Sequence, residues 1–410
     1  CYCIDDQLLY EPFFADFGPL NLGKAYRFYE AVATTCLLQE ADRSKKRLYY
    51  YCGPHAQQRS NAAVLIGIYQ VVFLNRTAEE AYRPLQAFKP YMPFRDASCG
   101  VSTFHLTVWD VIKGIQKARD VSFIDWSVDS TIWNCEEYEH YEQVENGDLN
   151  WIVPGKLVAF SGPAARGNEI AGYRLHTPED YWDYWRKKGV TAIVRLNKKV
   201  YDRKRFTDGG FRHYDLYFPD GSCPSEAILL KFLEIAESEP GALAIHCKAG
   251  LGRTGVLICC YCMKHFRFTV EEVIGYIRVC RPGSVIGPQQ NFLRDVEARM
   301  WHEGDMWRAQ RGITKPHLTL GVSQPQPRHP LHVYLQLHLD FDPGPDATHL
   351  HPLTLHLLQL YGLVLGLRQL TCICVCIVAA PVALPASKLR QLPALAQLSV
   401  WVTCCTHETP

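Results

Sequence analysis

An α/β fold built from two copies of one unit is what the 410-residue sequence predicts, on three observations. The length exceeds what one core usually holds, and an apolar share of 48% leaves material for two. The apolar run Leu243-Ala244-Ile245 leads into a glycine-containing loop and then a helical pattern from Thr254 to about Phe266, the order strand, loop, helix. That order occurs twice. Tyr49-Tyr50-Tyr51-Cys52 leads into Asn61-Ala62-Ala63-Val64-Leu65-Ile66-Gly67, as Ile245-His246-Cys247 leads into Thr254-Gly255-Val256-Leu257-Ile258. Thr77-Ala78-Glu79-Glu80-Ala81 then parallels Thr269-Val270-Glu271-Glu272-Val273, at 25 and 22 positions beyond the two cysteines.

In chain order, the first copy's strand ends at Cys52. The loop after it, Gly53 to Arg59, lacks the glycine spacing of the second copy and carries its arginine out of place, so Cys52 reads as a structural residue. Residues 136–148 then carry six acids and no Lys or Arg. Tyr138, Tyr141 and Val144 or Glu145 recur at helical spacing, which predicts a short linker helix stopped by Asn146-Gly147. Such a run is usually a solvated face. Placed between two domains that meet at an active site, such acids can instead select a basic substrate peptide. A helical pattern follows from Glu226 to Glu237, and Cys259, Cys260 and Cys262 sit on the helix after the second loop as packing residues.

The chemistry lies in the second loop, His246-Cys247-Lys248-Ala249-Gly250-Leu251-Gly252-Arg253-Thr254-Gly255. Five residues separate Cys247 from Arg253. That length can wrap backbone N–H groups around one tetrahedral dianion at a helix N-terminus, where the dipole also favours negative charge. The same field favours a Cys247 thiolate, and Arg253 can hold two phosphoryl oxygens through its planar fork. A thiolate beneath a phosphate is a nucleophile aimed at phosphorus, which implies a phosphocysteine intermediate. The bland readings are a small buried cysteine and a loop that binds phosphate without turnover; a plain strand–helix turn needs neither Cys247 nor Arg253.

A thiolate cannot protonate a departing alcohol, so a general acid is required. Asp220 in Tyr217-Phe218-Pro219-Asp220-Gly221-Ser222 is the candidate, because Pro219 and Gly221 place it on a loop that can close over substrate. Asp215 is the alternative within the same segment. Thr254 can donate its hydroxyl to the cysteine sulfur, or cap the helix, or do both. Gln289, in Gly287-Pro288-Gln289-Gln290, reads either as the amide that orients the hydrolytic water or as a polar cap on the next helix.

At this point the chain resembles the mitotic-exit dual-specificity protein phosphatases, the cell-division-cycle-fourteen family. The resemblance runs over about residues 5–312, on ADFGPLNL (15–22), PFRDAS (93–98), YEHYEQVENGDLNWIVPGK (138–156), VRLNKK (194–199), HCKAGLGRTG (246–255) and CRPGSVIGPQQNFL (280–293). It implies two tandem dual-specificity/protein-tyrosine-phosphatase-like domains, each a mixed sheet flanked by helices, the first inactive. The divisions expected are 1–131 for the inactive domain, 132–150 for the acidic linker, 151–312 for the catalytic domain and 313–410 for a low-complexity or disordered tail. Carried over residue by residue, it makes Cys247 the nucleophile, Arg253 the phosphate clamp and Asp220 the acid, with Lys248, Ala249, Gly250, Leu251 and Gly252 forming the phosphate seat. Gln289 takes the water-orienting role by the same likeness. Glu139, Glu142 and Asp148 match the family's acidic groove, which favours Lys or Arg a few residues after phosphoserine-proline. The partners implied are phosphorylated proteins, among them cyclin-dependent-kinase substrates, in cell-cycle control and mitotic exit. The places implied are nucleus and cytoplasm, with nucleolus or centrosome by likeness.

Composition sets limits on this reading. A net charge of +1 gives no bulk attraction to nucleic acid or membrane. Seventeen cysteines are scattered without small-scaffold spacing, and a nucleophilic thiolate needs a reducing compartment. No metal or cofactor is expected, since the histidines show no ligand-like pairing. The rival enzyme is a phosphoinositide phosphatase, whose loop also begins His-Cys-Lys-Ala-Gly; Leu251 at the loop centre and the acidic linker oppose it. The rival from another class is a phosphoprotein-binding pseudophosphatase, opposed by the intact Cys247, Arg253 and Asp220. The chain opens at Cys1, which reads as a fragment lacking its start. Beyond Gly312 the likeness stops. Leu370 to Ala386 is apolar but broken by Pro381 and Pro385, so a disordered or aberrantly translated segment is favoured over a tail anchor.

Overall fold

The computed structural model describes residues 3–41, 48–100, 102–126, 130–167, 169–170 and 172–313, with the backbone of three further strands, Gln336–His338, Ile373–Ala380 and Gln397–Thr403. The first half runs α1 (Leu22–Ala41), β1 (Leu48–Cys52), α2 (Ala56–Ile68), α3 (Ala78–Tyr82) and α4 (Val108–Asp120). The linker carries α5 (Cys135–Tyr141). The second half then adds β2 (Leu149–Val153), β3 (Leu157–Phe160), β4 (Glu169–Ile170), β5 (Tyr173–Arg174), α6 (Trp182–Lys187), β6 (Val190–Arg195), α7 (Lys204–Thr207), β7 (Arg212–Asp215), α8 (Glu226–Ser238), β8 (Ala242–His246), α9 (Gly252–Phe266), α10 (Val270–Cys280) and α11 (Gln289–Gln310).

The two copies are visible in how their helices begin. Thr77 and Thr269 both cap with their side chains and close reciprocal boxes with Glu80 and Glu272, satisfying donors that a helix start leaves open. The copies then diverge. Pro84 in the turn after α3 converts the chain to a 3-10 turn, Arg83–Phe88, whereas α10 continues for eleven residues.

The second half is organised on a five-stranded mixed sheet, in the order β2-β3-β8-β6-β7. The β2–β3 pair is antiparallel and the remaining pairs are parallel. Alternation along the strands supplies both faces. Leu157, Ala159, Leu243, Ile245, Ala192 and Val194 join the larger core, while Val158, Phe160, Ala242, Ala244 and Ile193 join a smaller one with Trp185 and Phe206. In the first half, β1 lies antiparallel to Ile373–Ala380; that strand lies antiparallel to Gln397–Thr403, which runs parallel to Gln336–His338. Both halves are therefore α/β. The low-complexity reading of 313–410 otherwise falls outside the described residues. Among those described, no helix is long and apolar enough to cross a membrane.

The larger core is continuous between the halves, because α4 crosses α10 at glycines. A Cβ on Gly114 would collide with the Glu272 carbonyl oxygen, and one on Gly275 would sit 3.0 Å from Val111 Cα. Glycine here allows backbone to approach backbone.

The acidic linker departs from the single helix expected. α5 ends at Tyr141, Gln143 turns extended with ψ at 143°, and a 3-10 turn covers Val144–Asn146. The chain has to reverse into β2, and it does so through Gly147 and Asp148, at φ of 122° and 49°. A straight helix to Asn146 would overshoot that turn.

Gly114→Val should cost about 2–4 kcal/mol, as a side chain wedged between two backbones cannot be absorbed by a rotamer change. Urea denaturation of the full chain checks this, and an unchanged midpoint would mean that the crossing yields easily.

Candidate active site

Ligands in open α/β sheets sit outside the carboxyl ends of the strands, and the chemistry-bearing residues gather there. His246 ends the central strand β8, in register with Phe160 of β3 and Arg195 of β6. Cys247 follows at the base of the loop, and Arg253 closes it in the first turn of α9; both are buried.

The carbonyls from 247 to 251 are all held outward. His246 Nδ1 donates to Cys247 O at 3.0 Å. Gly162 N and Ser161 Oγ donate to Lys248 O at 2.9 and 3.2 Å. Arg281 donates from Nη2 to Ala249 O at 2.9 Å and from Nε to Gly250 O at 3.0 Å. Gly255 N and Val285 N reach Leu251 O at 3.0 and 3.3 Å. A trans peptide points its N–H opposite its carbonyl, so the following N–H groups face into the loop. Among the described residues, those of Lys248, Ala249, Gly250 and Leu251 donate to no other group of the protein. Gly250 makes the turn at φ +68°, and a Cβ there would fall on Phe160 O. Lys248 itself is exposed, and Ala249 and Gly252 are half-buried.

His246 is fully buried, and burial lowers its pKa to about 3; burial lowers His213 also. Both rings are neutral near pH 7, and one order of donation serves them. His213 Nε2 donates to Tyr201 Oη at 3.0 Å, Tyr201 donates to His246 Nε2 at 2.7 Å, and His246 Nδ1 donates to the Cys247 carbonyl.

Arg253 and Asp220 are brought together as expected. Arg253 Nη2 stands 3.0 Å from Asp220 Oδ1, and Nη1 donates to Phe218 O at 3.1 Å. Arg253 Nε is buried with no partner, a donor left for an anion. Asp220 is 71% exposed on its turn, with Phe218 beneath it buried as the anchor. Asp215 is engaged elsewhere, held at 2.7 Å by the buried Arg195.

Gln289 is fully buried against Gly252, whose added Cβ would meet its Oε1 at 3.0 Å. Its amide joins the Ile286 N–H at 3.0 Å to the Ser222 carbonyl at 3.1 Å, linking the Asp220 turn to the loop. Thr254 is not the helix cap. Leu251 takes that place with no side-chain bond, and Thr254 Oγ1 is buried and unpartnered. The first N–H groups of α9 are therefore left without a side-chain cap.

The three acids of the expected groove meet three separate partners. Glu139 grips Arg27 in a fork of 2.9 and 2.6 Å. Glu142 accepts from Asn21 Nδ2 at 2.7 Å, and Asp148 pairs with Arg281 at 2.8 Å. Glu142 lines a pocket of about 350 Å³ with Glu11, Lys24, Glu145 and Pro282, and burial raises its pKa to about 7. Sequence reasoning missed Arg281, Tyr201 and His213. A basic residue directly after a helix and before Pro-Gly was the one available signal, since such a cation faces loop carbonyls rather than solvent. In the first half, Arg59 donates to the Phe88 and Pro90 carbonyls at 2.5 and 3.4 Å.

A family model described as the N-terminal half of dual specificity protein phosphatase matches residues 1–118, and one for a DSP-PTPase phosphatase of polymorphic toxin systems matches residues 171–267. The chain is 53% identical over 310 residues to the dual specificity protein phosphatase CDC14A of Mus musculus, over 75% of this chain and 50% of that one. It is 48% identical over 308 residues to CDC14C of Homo sapiens, over 75% and 68% of the two chains. The tyrosine-protein phosphatase cdc-14 of Caenorhabditis elegans is 43% identical over 305 residues, 73% of this chain and 42% of that one. The chain spans about half the length of the CDC14A relatives that it matches.

Gly250→Ala should weaken binding of tungstate, a tetrahedral oxyanion, by about tenfold or more, since the loop must open to place the methyl. Isothermal titration checks this; unaltered affinity would mean that the loop N–H groups do not form the seat.

Proposed function

The chain belongs to the CDC14 family of dual-specificity protein phosphatases, and from that premise we propose that it hydrolyses phosphoserine, phosphothreonine and phosphotyrosine in proteins through a phosphocysteine intermediate. The observation that carries the reading is the loop itself: outward carbonyls, Cys247 at its base, and Arg253 facing Asp220 across it. In this reading 1–131 is the inactive unit, 132–150 the linker and 151–312 the catalytic unit.

The phosphate enters the seat and takes two oxygens to the Arg253 fork, replacing Asp220 there. Cys247 Sγ attacks phosphorus in line, the P–O bond breaks, and Asp220 passes its proton to the departing oxygen. Loop N–H groups and the α9 dipole stabilise charge on the equatorial oxygens. Water, oriented by the Gln289 amide, then attacks phosphorus while Asp220 accepts its proton. The S–P bond breaks, with the Thr254 hydroxyl donating to the leaving sulfur. A cation downstream of phosphoserine-proline meets the pocket lined by Glu142, Glu145 and Glu11. Phosphorylated cell-cycle proteins are the proposed substrates, in nucleus and cytoplasm.

Steady-state hydrolysis of phosphoserine-proline peptides by the full chain, without added metal, tests the reading. Cys247→Ser should remove turnover, and Asp220→Ala should lower kcat by about 10²–10⁴-fold. Peptide binding by a folded wild type without turnover would instead mark a binding module.

The pH dependence of selectivity is a separate check. Glu142, with Lys24, Glu11 and Glu139 around it, is neutral below its pKa of about 7 and anionic above. Preference for a peptide with a downstream basic residue should therefore rise by roughly fivefold from about pH 6 to about pH 8, worth about 1 kcal/mol. Glu142→Gln should flatten that rise; a slope that survives would place the cation elsewhere.

A further inference from the structure

Residues 195–205 carry six Lys or Arg and one acid, Asp202, the reverse of the acidic linker. Two of these cations are engaged within the fold, Arg195 with Asp215 and Arg205 with Glu179. Lys199 stands 3.6 Å from Asp202, and among the described residues Lys198, Arg203 and Lys204 form no ion pair. All four of these cations are exposed. Such a run is usually a solvated face. Its position sets this one apart.

The segment is tied to the candidate active site at two points. Leu196 N donates to His246 O at 2.9 Å, and Leu196 O accepts from Phe218 N at 3.3 Å, beside the Asp220 turn. Further on, Tyr201 Oη donates to His246 Nε2 at 2.7 Å, and Arg195 Nη1 holds the Tyr201 carbonyl at 2.7 Å. Both anchors lie at His246, so the residues between them bulge outward, and Lys198, Lys199 and Val200 are all exposed.

Sheet order puts this bulge opposite the acids. In β2-β3-β8-β6-β7 the loop of Cys247 leaves the central strand, the linker enters β2 to one side, and the basic segment leaves β6 on the other. A peptide laid across these strand ends, with its downstream cation in the pocket of Glu142, Glu145 and Glu11, sends its upstream residues over the basic segment. At about 3.3–3.6 Å per extended residue, positions two and three before the phosphoserine lie about 7–11 Å from it, and Lys198 lies at most about 7 Å along the chain from Leu196.

We propose that Lys198 and Lys199, with Arg203 and Lys204 behind them, form an upstream subsite that favours acidic residues two or three positions before the phosphorylated residue. The centre then reads charge at both ends of its substrate, and the opposed signs disfavour a peptide lying in the reverse direction. An anionic membrane is the poorer match, because the linker acids would face it. The inference rests on the proposed hydrolysis of phosphopeptides and on their direction across the sheet.

The test measures kcat/KM of the full chain for phosphoserine-proline peptides with and without a Glu pair upstream, and with and without a Lys downstream. Para-nitrophenyl phosphate, too small to reach either flank, is the control. The wild type should favour the upstream Glu pair by about threefold or more at low salt, and less at about 0.5 M salt, as exposed ion pairs do. The double variant Lys198→Glu/Lys199→Glu should reverse that preference, leaving the downstream preference and para-nitrophenyl phosphate turnover unaltered. No upstream preference in the wild type, or one that survives the charge reversal, overturns the proposal. So does a preference for Glu placed downstream, which would mean that the peptide runs the other way. Phosphatidylserine vesicles that bind the wild type and not the variant, with upstream Glu ignored, would overturn it in favour of a membrane surface. A wild type that turns over para-nitrophenyl phosphate but no peptide refutes the phosphoprotein reading and takes this inference with it.

Discussion

The orientation of five successive peptide groups is the constraint on which the rest of this structure depends. An isolated loop would turn some carbonyls inward, where they would repel an anion. Here each carbonyl from Cys247 to Leu251 is claimed by a donor outside the loop: a buried histidine, the strand end at Ser161 and Gly162, Arg281, and the segment at Val285. The electrostatic work is completed during folding, so an arriving anion meets N–H groups that need no reorganisation. Gly162 and Gly250 are the spatial counterpart, since a Cβ on either would fall on a backbone oxygen.

The first half takes part in this arrangement too. Asp96 accepts from Gly287 N at 2.7 Å, which steadies the segment that leads into Gln289. Tyr138 of the linker donates to Cys280 O at 2.9 Å, immediately before Arg281. The glycine-mediated crossing of α4 and α10 places both contacts within reach. Residues of the first half thus hold the segment that braces the loop of the second.

What could be read from the sequence was whatever depends on neighbours in the chain. The spacing of Cys247 and Arg253, the turn residues around Asp220, the helix from 226 and the parallel between Thr77–Ala81 and Thr269–Val273 are all local, and each was legible. The failures were of longer range. The pairing of Asp148 with Arg281 could not be read, because 133 positions with a whole sheet and five helices lie between them. Tyr201 and His213 carried no pattern that distinguished them from core residues, because their order of donation exists only once two strands are paired. Thr254 resembled a cap, but the helix starts earlier than its apolar pattern suggests, with Leu251 in the cap position. The linker helix was overextended since periodicity reports which face is apolar and says nothing of where the chain must turn.

The line from His213 through Tyr201 to His246 bears on more than the loop. Both imidazoles are buried in the uncharged form, yet in an unfolded chain each would take up a proton near its ordinary value of 6.5. Below that pH the unfolded state binds more protons than the native one, so acid favours unfolding. The loss begins as pH falls through 6.5 and continues until the native-state values are passed, which for His246 is at about 3. The carbonyl at the base of the loop is thus secured by a group that cannot be charged in place, and acid resistance is what that security costs the fold.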